Sequence, residues 1–142
     1  MNRVSVACAV ALSLVLWAAS GLAGQDVPSL VGTWATESQG GVLVRGGAVG
    51  KTTHWEMKQT TLKGELAVTE QNGRVLTGTF TSPRHKEPFI AVVGYDGKHI
   101  YFADEDGYYD ATLIDADTIE MVYRHVTAAD TVAAVGVWKR KK

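Results

Sequence analysis

Between Leu30 and Lys139 apolar residues alternate with polar ones, β-branched and aromatic residues dominate, and turn signals recur every ~8–12 residues. No stretch carries the 3.6-residue period of an amphipathic helix. A chain patterned this way folds as an antiparallel all-β domain with one face of each strand turned to a core. Leu30 to Glu37 reads as the first strand, with Leu30, Gly32 and Trp34 sharing a face. Ser38 to Lys51 holds five glycines and reads as a long loop, with a short strand over Val42 to Arg45 as an option. Thr53 to Leu62 reads as a strand with Trp55 and Met57 inward and His54, Glu56 and Lys58 outward.

Three hairpins follow. A three-residue loop at Gln71-Asn72-Gly73 keeps the apolar pattern by pairing Val68 with Leu76 and Leu66 with Gly78, whereas a two-residue Asn72-Gly73 turn breaks it. Phe89 to Tyr95 and Lys98 to Ala103 join through Asp96-Gly97, and both faces of these strands are apolar. A loop at Asp115-Ala116-Asp117 places Leu113 opposite Ile119, Ala111 opposite Met121 and Tyr109 opposite Tyr123, leaving Thr112, Glu120, Tyr108 and Arg124 outside. Thr131 to Lys139 is the last strand. The count is nine strands, or ten with Val42 to Arg45, and short links make successive strands neighbours. The expected fold is an all-β antiparallel meander closed into a barrel of about 8–10 strands, since closure removes two open edges.

Residues 1–23 stand apart from this pattern. A basic start at Arg3, an apolar run from Val4 to Trp17 and small residues at Gly21 and Ala23 describe a secretory signal. The run is shorter than the ~20 residues of a membrane span. The expectation is an exported protein, periplasmic or secreted, with residues 24–142 forming one barrel domain and no stable membrane anchor. Cys8, the only cysteine, leaves with the signal, so the domain must be held by its core. Residues 1–23 hold one arginine and no acid, so their removal takes the net charge from −1 to about −2. That balance argues against nucleic acid as a partner.

Gly32-Thr33-Trp34 near the start and Lys139-Arg140 at the end resemble the calycin barrels, the lipocalins and avidins, in which a cation on the last strand packs over the tryptophan of the first. The resemblance implies barrel closure by Trp34, Lys139 and Arg140, and a small, largely apolar or aromatic molecule bound inside. The other lipocalin motifs and the biotin-contact set are absent.

No catalytic signature is present: the chain has no Gly-x-Ser-x-Gly, no phosphate-cradling loop and no zinc-type histidine spacing. His54, His85, His99 and His125 fall on separate segments. Asp104-Glu105-Asp106-Gly107 has the Asp-x-Asp-Gly of a calcium loop but lacks its first aspartate and its later glutamate, and reads as an acidic turn. Pro83-Arg84-His85-Lys86 emerges at the same barrel end. The sequence therefore gives no cofactor, no metal ligands and no catalytic residue. Candidate ligand-binding residues are Trp55, Met57, Phe80, Tyr109, Met121 and Tyr123, inward in this reading, with Gly78 and Ala111 leaving room among them. Two alternatives remain: a module that docks on a protein partner through the apolar outer face of residues 88–103, and a small barrel enzyme using an inward tyrosine or histidine.

Overall fold

The computed structural model describes residues 27–45 and 54–142. Eight antiparallel strands close into one barrel in chain order: β1 (Gly32–Val44), β2 (Thr61–Asn72), β3 (Val75–Thr81), β4 (Lys86–Val93), β5 (His99–Ala103), β6 (Gly107–Asp115), β7 (Thr118–Val126) and β8 (Asp130–Arg140). The signal segment of the sequence reading, 1–23, lies outside the described residues, as does part of the glycine-rich loop.

Closure rests on β1. Its first half, Gly32 to Gln39, pairs with β2, while Trp34 to Val44 pairs with β8. The strand therefore runs on through Gly40 and Gly41 to Val44, where the sequence suggested a loop from Ser38. The small residues serve packing there: a Cβ on Gly40 would lie 2.3 Å from the Ala133 carbonyl oxygen. Residues 54–60 form no strand, so the expected strand from Thr53 is replaced by an irregular segment leading into β2. That segment and the continuity of β1 reduce the count to eight.

The β2–β3 hairpin keeps the expected inward residues but in a different register. Leu66 pairs with Phe80 and Val68 with Gly78, and the turn is the two-residue Gly73-Arg74, closed by Asn72 opposite Val75. A bulge between Val68 and Glu70 shifts the phase, so the tighter turn and the core pattern coexist. Gly73 takes the left-handed conformation, φ 58°. In the β6–β7 hairpin Leu113–Ile119, Ala111–Met121 and Tyr109–Tyr123 pair as the alternation indicated. A bulge between Leu113 and Asp115 again replaces the three-residue loop.

The interior divides by chemistry along its axis. At one end Leu30, Trp34, Leu66, Leu76, Val93, Ile100 and Ile119 are all buried. Arg140 seals this end: its guanidinium carbon sits 4.1 Å from the Trp34 ring centre, and its nitrogens donate to the carbonyls of Ser29, Val31 and Ala116. Lys139, the other expected closure residue, alternates outward and donates to Thr118 Oγ1. The middle is filled with aromatic rings, Phe89, Phe102, Tyr109, Tyr123 and Trp138, in edge and tilted contacts. Gly78 leaves no void there, because the Phe89 ring occupies its side-chain space: a Cβ on Gly78 would lie 2.8 Å from that ring.

Candidate functional site at the barrel mouth

The opposite end is polar. Strand β3 runs into Ser82, β4 carries Glu87 at its start, β5 runs into Asp104 and Asp106, β7 carries His125 near its end and β8 begins on Asp130. These side chains turn into the mouth. Ser82, Glu87, His125 and Asp130 are buried, as is His54 from the irregular segment. The sequence reading placed His54 outside and Met57 inside. The structure reverses both, with His54 3 % and Met57 62 % exposed, because residues 54–60 lack the strand alternation on which that reading depended.

Two histidines organise the mouth. His54 meets Ser82 Oγ at 2.7 Å through Nδ1 and Glu87 Oε1 at 2.8 Å through Nε2. Ser82 Oγ also accepts from the backbone amides of Arg84 and His85, and its own proton has two acceptors in reach, His54 Nδ1 at 2.7 Å and the His85 carbonyl at 3.5 Å. With the shorter of these made, His54 is the Nε2–H tautomer and donates to Glu87. His125 lies between two aspartates, Nδ1 3.1 Å from Asp106 Oδ1 and Nε2 2.5 Å from Asp130 Oδ1. Tyr123 donates to the same Asp106 oxygen at 2.8 Å.

Desolvation dominates the electrostatics. Burial, reinforced by the charges of Asp104 and Asp106, pushes the Glu87 carboxyl up to about 9. Burial lowers His54 despite those same carboxylates. Tyr109 and Tyr123 are both raised, first by burial and then by Asp104, so both phenols stay protonated. At neutral pH the mouth thus presents a neutral carboxylic acid, a neutral imidazole and two phenol donors beside ionisable aspartates, a set able to bind a polar group or transfer a proton.

Of the expected ligand-binding residues, Trp55, Phe80, Tyr109, Met121 and Tyr123 come together around one small cavity, also lined by His54 and Ser38. Met57 does not join them. The cavity holds about 10 Å³, close to the room for a single water molecule. Trp55, 2 % exposed, is supplied by the irregular segment rather than by a strand. A much larger concavity, about 1040 Å³, is an open saddle on the outer wall over Ala35, Val122, Val135 and Val137, away from the polar mouth.

The sequence signal for the mouth was present in pieces. The Pro83–Lys86 loop and the acidic turn do emerge together, with His85 Nε2 4.0 Å from Glu105. Glu87 and Asp130 were missed. Glu87 opens an alternating run, Glu87, Phe89, Ala91, Val93, in which a charged residue occupies a core position. That placement was readable once the strand was begun at Lys86 rather than Phe89.

Comparison with known proteins agrees with the architecture. No protein-family model matches the chain, and no curated protein does. Among solved structures, a redesigned β-barrel is similar with a TM-score of 0.53 at 10 % identity, covering 80 % of this chain and 92 % of its own. At that identity the likeness is one of fold alone.

Proposed function

We propose that this chain is an exported, calycin-like barrel that binds a small molecule with an apolar or aromatic body at its polar mouth. The observation that carries the reading is Trp55, a buried tryptophan on an irregular segment, lining a cavity together with Phe80, Tyr109, Tyr123 and His54. The Trp34–Arg140 stack supports the calycin comparison and leaves the mouth as the end for entry. A ligand body would take the place of the Trp55 ring, and the buried hydroxyl and imidazole groups would meet its polar part.

A panel of aromatic and apolar compounds titrated against intrinsic tryptophan fluorescence tests this. A saturable change is expected. Trp55→Ala, which removes the competing ring, is expected to bind the same compound more tightly while losing ~3–5 kcal/mol of stability. Failure of every compound to saturate the signal or to bind Trp55→Ala by calorimetry would overturn the reading.

A second reading has its own observation. Val75, Ile90, Val92 and Tyr101 lie side by side on the outer wall and are each 43–55 % exposed. This apolar face favours a protein-interaction module, for which a stable complex or dimer in native mass spectrometry is the expected result.

A further inference from the structure

The start of β4 and the β5–β6 turn bring three carboxylates together at the mouth. Glu87, Asp104 and Asp106 each offer an oxygen, and these oxygens lie within 4.8 Å of one another. Two oxygens bound at roughly 2.3–2.6 Å to one ion span up to such a distance. The turn is shaped to hold them: Asp104 Oδ1 accepts the amides of Asp106 and Gly107, at 3.2 and 2.6 Å, which fixes its other oxygen. Asp106 is held by Tyr123 and His125 through Oδ1.

The second oxygens are what point to a ligand. The Glu87 side chain is fully buried and its Oε2 meets no donor at hydrogen-bond geometry among the described residues; Oδ2 of Asp106 is in the same position, and so is Oδ2 of Asp104, whose carboxyl interacts with the Tyr109 phenol and the Glu87 carboxyl. Three buried carboxyl groups whose second oxygens lack donors are costly unless a proton or a cation sits among them. The nearby basic side chains do not supply donors to them. His85 Nε2 stands 3.8 Å from Glu87 Oε2, beyond hydrogen-bond distance, and Arg84 turns to the Trp55 carbonyl and Glu56. His54 is already committed to Oε1.

We infer that the mouth seats one divalent cation between the carboxylates of Glu87, Asp104 and Asp106. An all-oxygen set selects a hard ion, Ca²⁺, Mg²⁺ or Mn²⁺. His85 and Glu105 flank it, forming a second group with Glu87 on the solvent side. The acidic turn looked incomplete in sequence because a further carboxylate comes from the neighbouring strand, β4. This seat stands independently of any small molecule under Trp55.

The test uses the full mature protein, first stripped with chelator. Adding Ca²⁺, Mg²⁺ or Mn²⁺ is expected to raise the melting temperature saturably by several degrees for at least one ion. Glu87→Gln and Asp106→Asn, which keep side-chain shape, are expected to move the midpoint of that response tenfold or more to higher concentration. In the parent, substoichiometric Mn²⁺ is expected to broaden the ring resonances of His85, His125 and Tyr123 before those of His99, a readout that needs no variant to fold. No saturable response to any of the three ions would overturn the inference and leave a proton shared by Glu87 and Asp104 as the buried compensation. So would Mn²⁺ broadening centred elsewhere, or an unchanged midpoint in both folded variants.

Discussion

Trp34 seals one end of the barrel at the level of a single side chain. Its ring is fully buried, its Nε1 donates to the Leu30 carbonyl at 3.1 Å, and Arg140 covers its outer face. Gly32, with φ 135°, is required beside it, since a side chain there would both strain the backbone and approach the Arg140 guanidinium at 3.2 Å. Trp34→Ala is expected to cost ~3–5 kcal/mol, the range for removing a large buried aromatic. Arg140→Gln loses the cation–π contact and charge-assisted bonds to three carbonyls, about 2 kcal/mol. Urea denaturation checks both, and a Trp34→Ala midpoint equal to the parent's would remove the sealed end from the account. This residue was legible in the sequence because Gly-x-Trp and a terminal cation are unusual together. His54 and Met57 were not, because the assignment of both rested on extending strand alternation into a segment that is not a strand.

Among the elements, hairpins with an unambiguous core face were readable, and their turns were not. The alternation in β6 and β7 fixes Tyr109 against Tyr123 whichever turn joins them, but a bulge costs the sequence no recognisable residue, so bulges stay hidden. The β4–β5 hairpin, apolar on both faces, owes its closure to turn chemistry. Asp96 Oδ1 accepts the amides of Lys98 and His99, and Oδ2 pairs with the His99 ring. These donors hold its carboxyl well below the ordinary range, the His99 hydrogen bond contributing most. A depressed carboxyl adds stability that is fully present above its unfolded value and is lost as pH falls through the folded one. Asp96→Ala is therefore expected to lower the melting temperature at pH 7, and the gap to the parent is expected to shrink steadily as pH drops below ~4. A gap independent of pH would assign the turn's stability to its backbone alone.

For the whole molecule, closure follows from one long strand that pairs along both sides, β1, and the two ends of the resulting barrel differ in chemistry. The class of fold was legible because period-2 patterning and short links admit few arrangements. The mouth was legible only as two loops of opposite charge at one barrel end, since Glu87, Asp104, Asp106, His125 and Asp130 are scattered over the chain and meet only once the register is set. The interior, which the sequence left open as hollow or filled, is packed with rings, because the small residues Gly78 and Gly107 accommodate neighbouring aromatics, Phe89 and Tyr123. What remains as a site is the polar end under Trp55. The most direct test is the map of amide and ring shifts in the NMR spectrum of residues 24–142 titrated with an aromatic compound that quenches their tryptophan fluorescence. Saturable shifts are expected at His54, Trp55, Phe80, Tyr109 and Tyr123, with Leu30 and Trp34 unmoved. Shifts confined to Val75, Ile90, Val92 and Tyr101 on the outer wall would contradict it.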